Sequence, residues 1–241
     1  MKKLLFLFSV IFLTSFIGLS PARAEEDTAP VPELISAPAE ICDSNQGLVV
    51  QRSDVSLPAL FVLGCHNTIH VFPNEQTYKT WWPDFENISY VNGAFVGAKD
   101  LLGNVTIRPG TYLVKQTTDP KVYAVEPNGV LRWIPNEATA KTLYGSKWNT
   151  IIVDVPDELF ADYTIGTNMT DTAYADGTIG YLPVEGRVVY LSGTSYFNLP
   201  GDKISSMRLG SKFLVPLSAA VIANYTDGGD LPYDTKIAFP F

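Results

Sequence analysis

Glu75 and Glu137 are the residues whose placement most suggests paired catalytic carboxylates. Each sits in a recurring segment, Pro73-Asn74-Glu75-Gln76-Thr77 and Pro135-Asn136-Glu137-Ala138-Thr139, displaced by 62 residues (135 − 73). A glycoside hydrolase needs two carboxylates facing one bond in unlike environments. Residues related by a repeat occupy like environments in separate units instead. Proline stops a strand, asparagine accepts from the free N–H groups of a helix start, and a glutamate in the first turn meets the positive end of the helix dipole. The motif therefore reads as a strand stop followed by a helix cap, and it supplies no catalytic residue.

His66 and His70 flank Cys65, and Cys42 is the only other cysteine. In an exported chain a lone pair of cysteines reads as a disulfide. A Cys42–Cys65 bridge would contribute roughly 3 kcal/mol by restricting the unfolded chain. A Cys/His metal site is the rival, but His66 and His70 lie four apart, two pleats along one strand face, and no second Cys-x-x-Cys supports it. Asp171–Gly177 and Asp227–Asp230 resemble calcium loops but lack the alternating ligands and closing glutamate, so they read as polar turns and no metal is expected. Trp81 and Trp82 are adjacent and cannot both point inward from one helix. One of them is a candidate surface for stacking a sugar ring or a partner, with His66 and His70 as further binding candidates. Trp148 and Tyr123 read as core. Nucleophile elbows, zinc-protease motifs and phosphate-binding glycine loops are absent, and no cofactor is implied.

These residues need elements to position them. Lys2-Lys3, an apolar run from Leu4 to Leu19 and Ala22-Arg23-Ala24 make residues 1–24 a signal peptide, shorter in its apolar part than the ~20 residues that span a bilayer. No membrane span is expected after cleavage. Residues 25–41, rich in proline and acids, read as an extended linker. With 25 acidic against 17 basic residues and no basic run, nucleic acid is a poor partner.

The mature chain divides into residues 42–104, a first repeat with its N-terminal lead, 105–167, a second repeat, and 168–241, a degenerate third repeat with a tail. In the second, Thr111–Lys115, Lys121–Val125 and Val130–Ile134 read as strands, with a hairpin at Asn128-Gly129. A helix is expected over Glu137–Tyr144, another strand over Trp148–Val153 and a helical turn from Pro156. The first repeat offers the same order, and the third keeps a hairpin around Ser192-Gly193-Thr194 but has Gly201 where the helix cap stood. The fold class is mostly β (α+β): tandem repeats of a β-hairpin followed by a short helix and a further strand.

Val122-Tyr123-x-Val125, Gly129, Arg132-x-Ile134-Pro135, Thr139, Trp148 and Val153-x-x-Pro156-Asp157-x-Leu159 resemble an uncharacterised repeat of secreted bacterial surface proteins. Arg108–Thr111 and Asp119–Val125 are similar to segments in such proteins from candidate-phylum bacteria. The resemblance covers about residues 58–166 and weakens afterwards. It implies an accessory role beside cell-wall enzymes or other surface domains, and brings no catalytic residues. The chain is thus expected to be a secreted, non-enzymatic binding or scaffolding module at the cell surface, with cell-wall glycan or another surface protein as partner. A carboxylate-dependent glycan hydrolase and a structural surface-layer subunit are the alternatives.

Overall fold

The structure is a computed structural model that describes residues 46–56, 58–208 and 211–232. The segments expected to be a signal peptide (1–24) and a linker (25–41), and Cys42, lie outside these residues.

Three five-stranded mixed sheets follow one another along the chain. The first comprises β1 (Val49–Arg52), β2 (Leu60–Leu63), β3 (Thr68–Val71), helix α1 (Glu75–Trp81), β4 (Ser89–Val91), α2 (Gly93–Gly97) and β5 (Asp100–Asn104). The second comprises β6 (Leu113–Gln116), β7 (Val122–Glu126), β8 (Val130–Trp133), α3 (Glu137–Tyr144), β9 (Ile152–Val155), α4 (Asp157–Phe160) and β10 (Thr164–Ile165). The third comprises β11 (Ile179–Leu182), β12 (Arg187–Ser192), β13 (Ser195–Asn198), α5 (Gly201–Ser206), β14 (Val215–Pro216), α6 (Ala219–Ile222) and β15 (Thr226–Asp230). In each sheet three consecutive strands form an antiparallel meander. The fourth strand then pairs parallel to the first, and the fifth parallel to the third. Parallel pairing needs a crossover, and the short helices supply it.

The middle strand of each meander is apolar on both faces because both faces are covered. On β7, Tyr123 and Val125 enter one core with Ile107, Val114 and Leu131, while Ala124 enters another with Leu113, Ile134 and Leu143. On β12, Val189 and Leu191 join that second core and Tyr190 faces the opposite side. One hydrophobic core is thereby shared between the second and third sheets. On β2, Val62 packs with Phe72, Tyr78, Trp81 and Trp82, and Leu63 with Val50 and Ile69.

The Pro-Asn-Glu segments do what their chemistry dictates. Asn74 Oδ1 accepts from Thr77 N at 2.8 Å and Asn136 Oδ1 from Thr139 N at 2.9 Å, opening α1 and α3. At α5 the corresponding residue is Gly201, and Pro200 opens the helix with no side-chain cap bond. The Asn128-Gly129 turn has both residues at positive φ, 61° and 68°, as the hairpin signal requires.

Three local expectations change. Trp148–Val153 is not one strand: Trp148–Ile151 is a 3-10 turn, fixed by Thr150 N donating to Lys147 O at 2.9 Å, and β9 begins only at Ile152. Thr226–Asp230 is an edge strand rather than a turn, with Asp227 paired to Arg187 at 3.1 Å and Asp230 accepting from Asn198 at 2.7 Å. The hairpin, helix and strand expected for each segment are parts of a larger arrangement of three meander strands, two helices and two edge strands.

The second and third sheets also approach through backbone. A Cβ on Gly110 would stand 2.0 Å from the Gly177 carbonyl oxygen, and both glycines have positive φ, 70° and 87°. Gly193 has a similar φ of 56° but nothing within 4 Å. Gly110→Ala therefore combines backbone strain with a clash, whereas Gly193→Ala carries the strain alone. In urea denaturation Gly110→Ala should lose about 2 kcal/mol more than Gly193→Ala; equal losses would show that the close approach is not made.

Candidate functional site

The two adjacent tryptophans are both core residues, Trp81 at 2% and Trp82 at 6% exposure, so neither is a stacking surface. Successive helical residues diverge by about 100°, but α1 ends at Trp81. Trp82 takes extended backbone, φ −125° and ψ 132°, which lets both rings turn inward. Trp81 Nε1 donates to Thr106 O at 2.8 Å. Trp82 stacks on Tyr78 with ring centroids 5.7 Å apart and meets Phe72 edge-on at 5.5 Å.

The histidines are not on one strand. His66 is exposed in the β2–β3 turn with φ 53°, and only His70 lies on β3, half-buried. Among the described residues no cluster of three His, Cys, Asp or Glu side chains could hold a metal ion. Cys65 lies at the start of the same turn and is not a free thiol; its expected partner Cys42 is outside the described residues.

The acids serve the framework. Glu75 and Glu137 stand in the first turns of helices belonging to different sheets, and Glu137 pairs with Lys141 at 2.8 Å. Among the described ion pairs Glu126 is the most sheltered acid: its Oε1 accepts from Arg132 at 2.8 Å and from Asp176 N at 3.1 Å. Asp54 is drawn down to about 2 by the Arg52 guanidinium that hydrogen-bonds it, and Asp227 is lowered by the Gly229 N–H and by Arg187.

An open groove with two half-buried tryptophans in its lining lies beside the second sheet. It is a groove of about 280 Å³ lined by Pro120, Lys121, Val122, Trp133, Ile134, Pro135, Asn136, Glu137, Ala140 and Trp148. Trp133 ends β8, and Trp148 opens the 3-10 turn after α3; both are half-buried. Pro135 ends the meander and forces the chain into α3, so the cap segment forms one wall. Lys121 Nζ lies 6.0 Å from the Trp133 ring centroid, and Glu137 is exposed at the rim. Asn136 Oδ1 is taken by the cap, which leaves its amide nitrogen outside that bond. Trp133 packs on the core that holds Leu131 and Trp148 on the core that holds Leu143, and each leaves part of its ring at the groove. A larger cavity of about 370 Å³ lies between the second and third sheets, but its aromatic residues Tyr144 and Phe213 are buried in the core.

Sequence reasoning assigned Trp148 to the core, and its ring does pack on the core that holds Ala140 and Leu143 while staying partly exposed; Trp133 was not singled out as a binding candidate. The available signal was non-recurrence: 62 residues before Trp133 and Trp148 stand Val71 and Glu86 (133 − 62, 148 − 62), and 65 residues after them stand Asn198 and Phe213 (133 + 65, 148 + 65).

Comparison with known protein families, curated proteins and solved structures finds no match. One electrostatic consequence of the hairpin is testable. Burial pulls the His70 pKa below its ordinary 6.5, so the fold favours the neutral ring. That stabilisation is complete above the unfolded value and is lost as pH falls through the lower folded value. The denaturation midpoint should drop as pH is lowered from 7 toward 5, and His70→Gln should flatten that drop; an unchanged pH profile in the variant would refute it.

Proposed function

We propose that this protein is an exported, non-enzymatic binding module of the bacterial cell surface, built from three copies of one sheet unit. In this reading the Trp133–Trp148 groove of the second unit takes a sugar ring of cell-wall glycan. The observation that carries the proposal is the pairing of two half-exposed indoles in one open groove with a polar rim. The apolar face of a sugar stacks on indole, and its hydroxyls meet Asn136, Lys121 and Glu137 at the edge.

The common element order of the three sheets supports the repeat reading, since one unit copied three times gives one order three times. A non-enzymatic role is supported by Glu75 and Glu137, which occupy helix starts in separate sheets instead of facing one bond. Export rests on the charged, apolar and Ala-x-Ala segments of residues 1–24, and a Cys42–Cys65 bridge fits that compartment.

Binding of the mature protein to purified cell wall tests the function. Trp133→Ala and Trp148→Ala should each weaken binding by about tenfold or more, 1.4 kcal/mol, without changing the melting temperature by more than a few degrees. Wild-type protein that fails to bind wall or any arrayed glycan would sink the proposal. Intact mass of the exported protein tests the compartment: a chain beginning near Glu25 with its two cysteines joined is expected. Two free thiols would rule out the bridge.

A further inference from the structure

Arg108 lies on the segment joining the first and second sheets and is 5% exposed. Its backbone is fixed: its N–H donates to Thr80 Oγ1 at 3.0 Å and its carbonyl accepts from Thr111 Oγ1 at 2.6 Å. Its guanidinium lies over the Trp81 ring, 5.4 Å from the centroid. Among the described residues that guanidinium has neither a carboxylate partner nor a hydrogen-bond acceptor. A second cation stands beside it. Arg208, exposed just after α5, lies 5.2 Å over the Trp82 ring. Burial first, and the Arg208 charge second, pull Arg108 down to about 10, while the Tyr190 phenol opposes them.

A sheltered guanidinium without a counter-charge is costly, and a like charge nearby adds to the cost. Cation–π contact recovers only about 0.5–2 kcal/mol. An oxyanion between the two forks would remove both penalties and accept several N–H bonds at once. We infer that Arg108 and Arg208, floored by Trp81 and Trp82, form a binding site for one small oxyanion, a carboxylate, sulfate or phosphate group. The site draws on the first and third sheets and on the segment that leads into the second: Trp81 from α1, Arg108 from the first junction, Tyr190 from β12 and Arg208 from the end of α5. Occupancy would therefore clamp them together. The inference does not rest on the tryptophan groove.

Isothermal titration calorimetry with inorganic phosphate, sodium sulfate or sodium glucuronate, at ionic strength held constant with chloride, tests it. The native protein should bind one ion per chain. Arg208→Gln should weaken binding by about tenfold or more, and Arg108→Met should abolish it. Phosphate or sulfate binding without glucuronate assigns a free inorganic anion, and glucuronate binding assigns the carboxylate of an acidic sugar; both uphold the site. If Arg108→Met does not fold, Arg108→Lys, which keeps the charge and loses the fork, should bind more weakly with its melting temperature retained. No saturable heat with any of the three anions, or equal binding by native protein and the Arg108 variant, would overturn the site.

Discussion

A meander of three strands only four to six residues long leaves two rows of unpaired backbone groups, and the chain adds one further strand along each. In this protein each added strand runs parallel to its neighbour. A parallel partner cannot come from a hairpin, so the chain has to leave the sheet, cross a face and return. The strand-stopping proline, the asparagine cap and the short helix follow from that requirement. So does burial of both faces of β2, β7 and β12, because a returning helix or a neighbouring sheet lies on each side.

Single sheets of this size bury little apolar surface, and the seams between them make up the difference. Between the second and third sheets the seam is a common hydrophobic core and the Gly110–Gly177 backbone contact. Between the first and second it is mainly polar and directional. Trp81 donates to Thr106 O at 2.8 Å, Tyr163 Oη accepts from Ile107 N at 3.0 Å, and Asn104 donates to Asp162 at 3.0 Å. Hydrogen bonds of this kind, two of them part-buried and one exposed, fix register more than they add stability. The framework thus consumes most of the aromatic residues, which narrows a binding role to side chains that it leaves at the surface.

Much of the local structure was legible in the residues because it is local. Asn74 and Asn136 announce helix starts, Asn128-Gly129 announces a turn, and alternating apolar residues announce β7 and β12. What could not be read depends on distant partners. The edge strand Asp100–Asn104 has four exposed residues out of five and no β signature, yet it pairs with β3 because the crossover delivers it there. Trp82 was misjudged because inward pointing was argued from helix geometry, and the helix stops one residue before it. Trp133 was passed over because its exposure is set by where α3 and the 3-10 turn leave a gap, which only tertiary structure decides.

The tryptophans separate framework from the proposed binding surface, and they can be observed one by one. Each of the four indole N–H groups gives its own signal in a ¹⁵N-correlated NMR spectrum, assignable by single Trp→Phe variants. On addition of soluble cell-wall fragments the Trp133 and Trp148 signals should move together and saturate, while the Trp81 signal, locked to Thr106 O, stays in place. Movement of Trp81 or Trp82 with Trp133 and Trp148 unmoved, or no movement at any fragment concentration, would contradict the account.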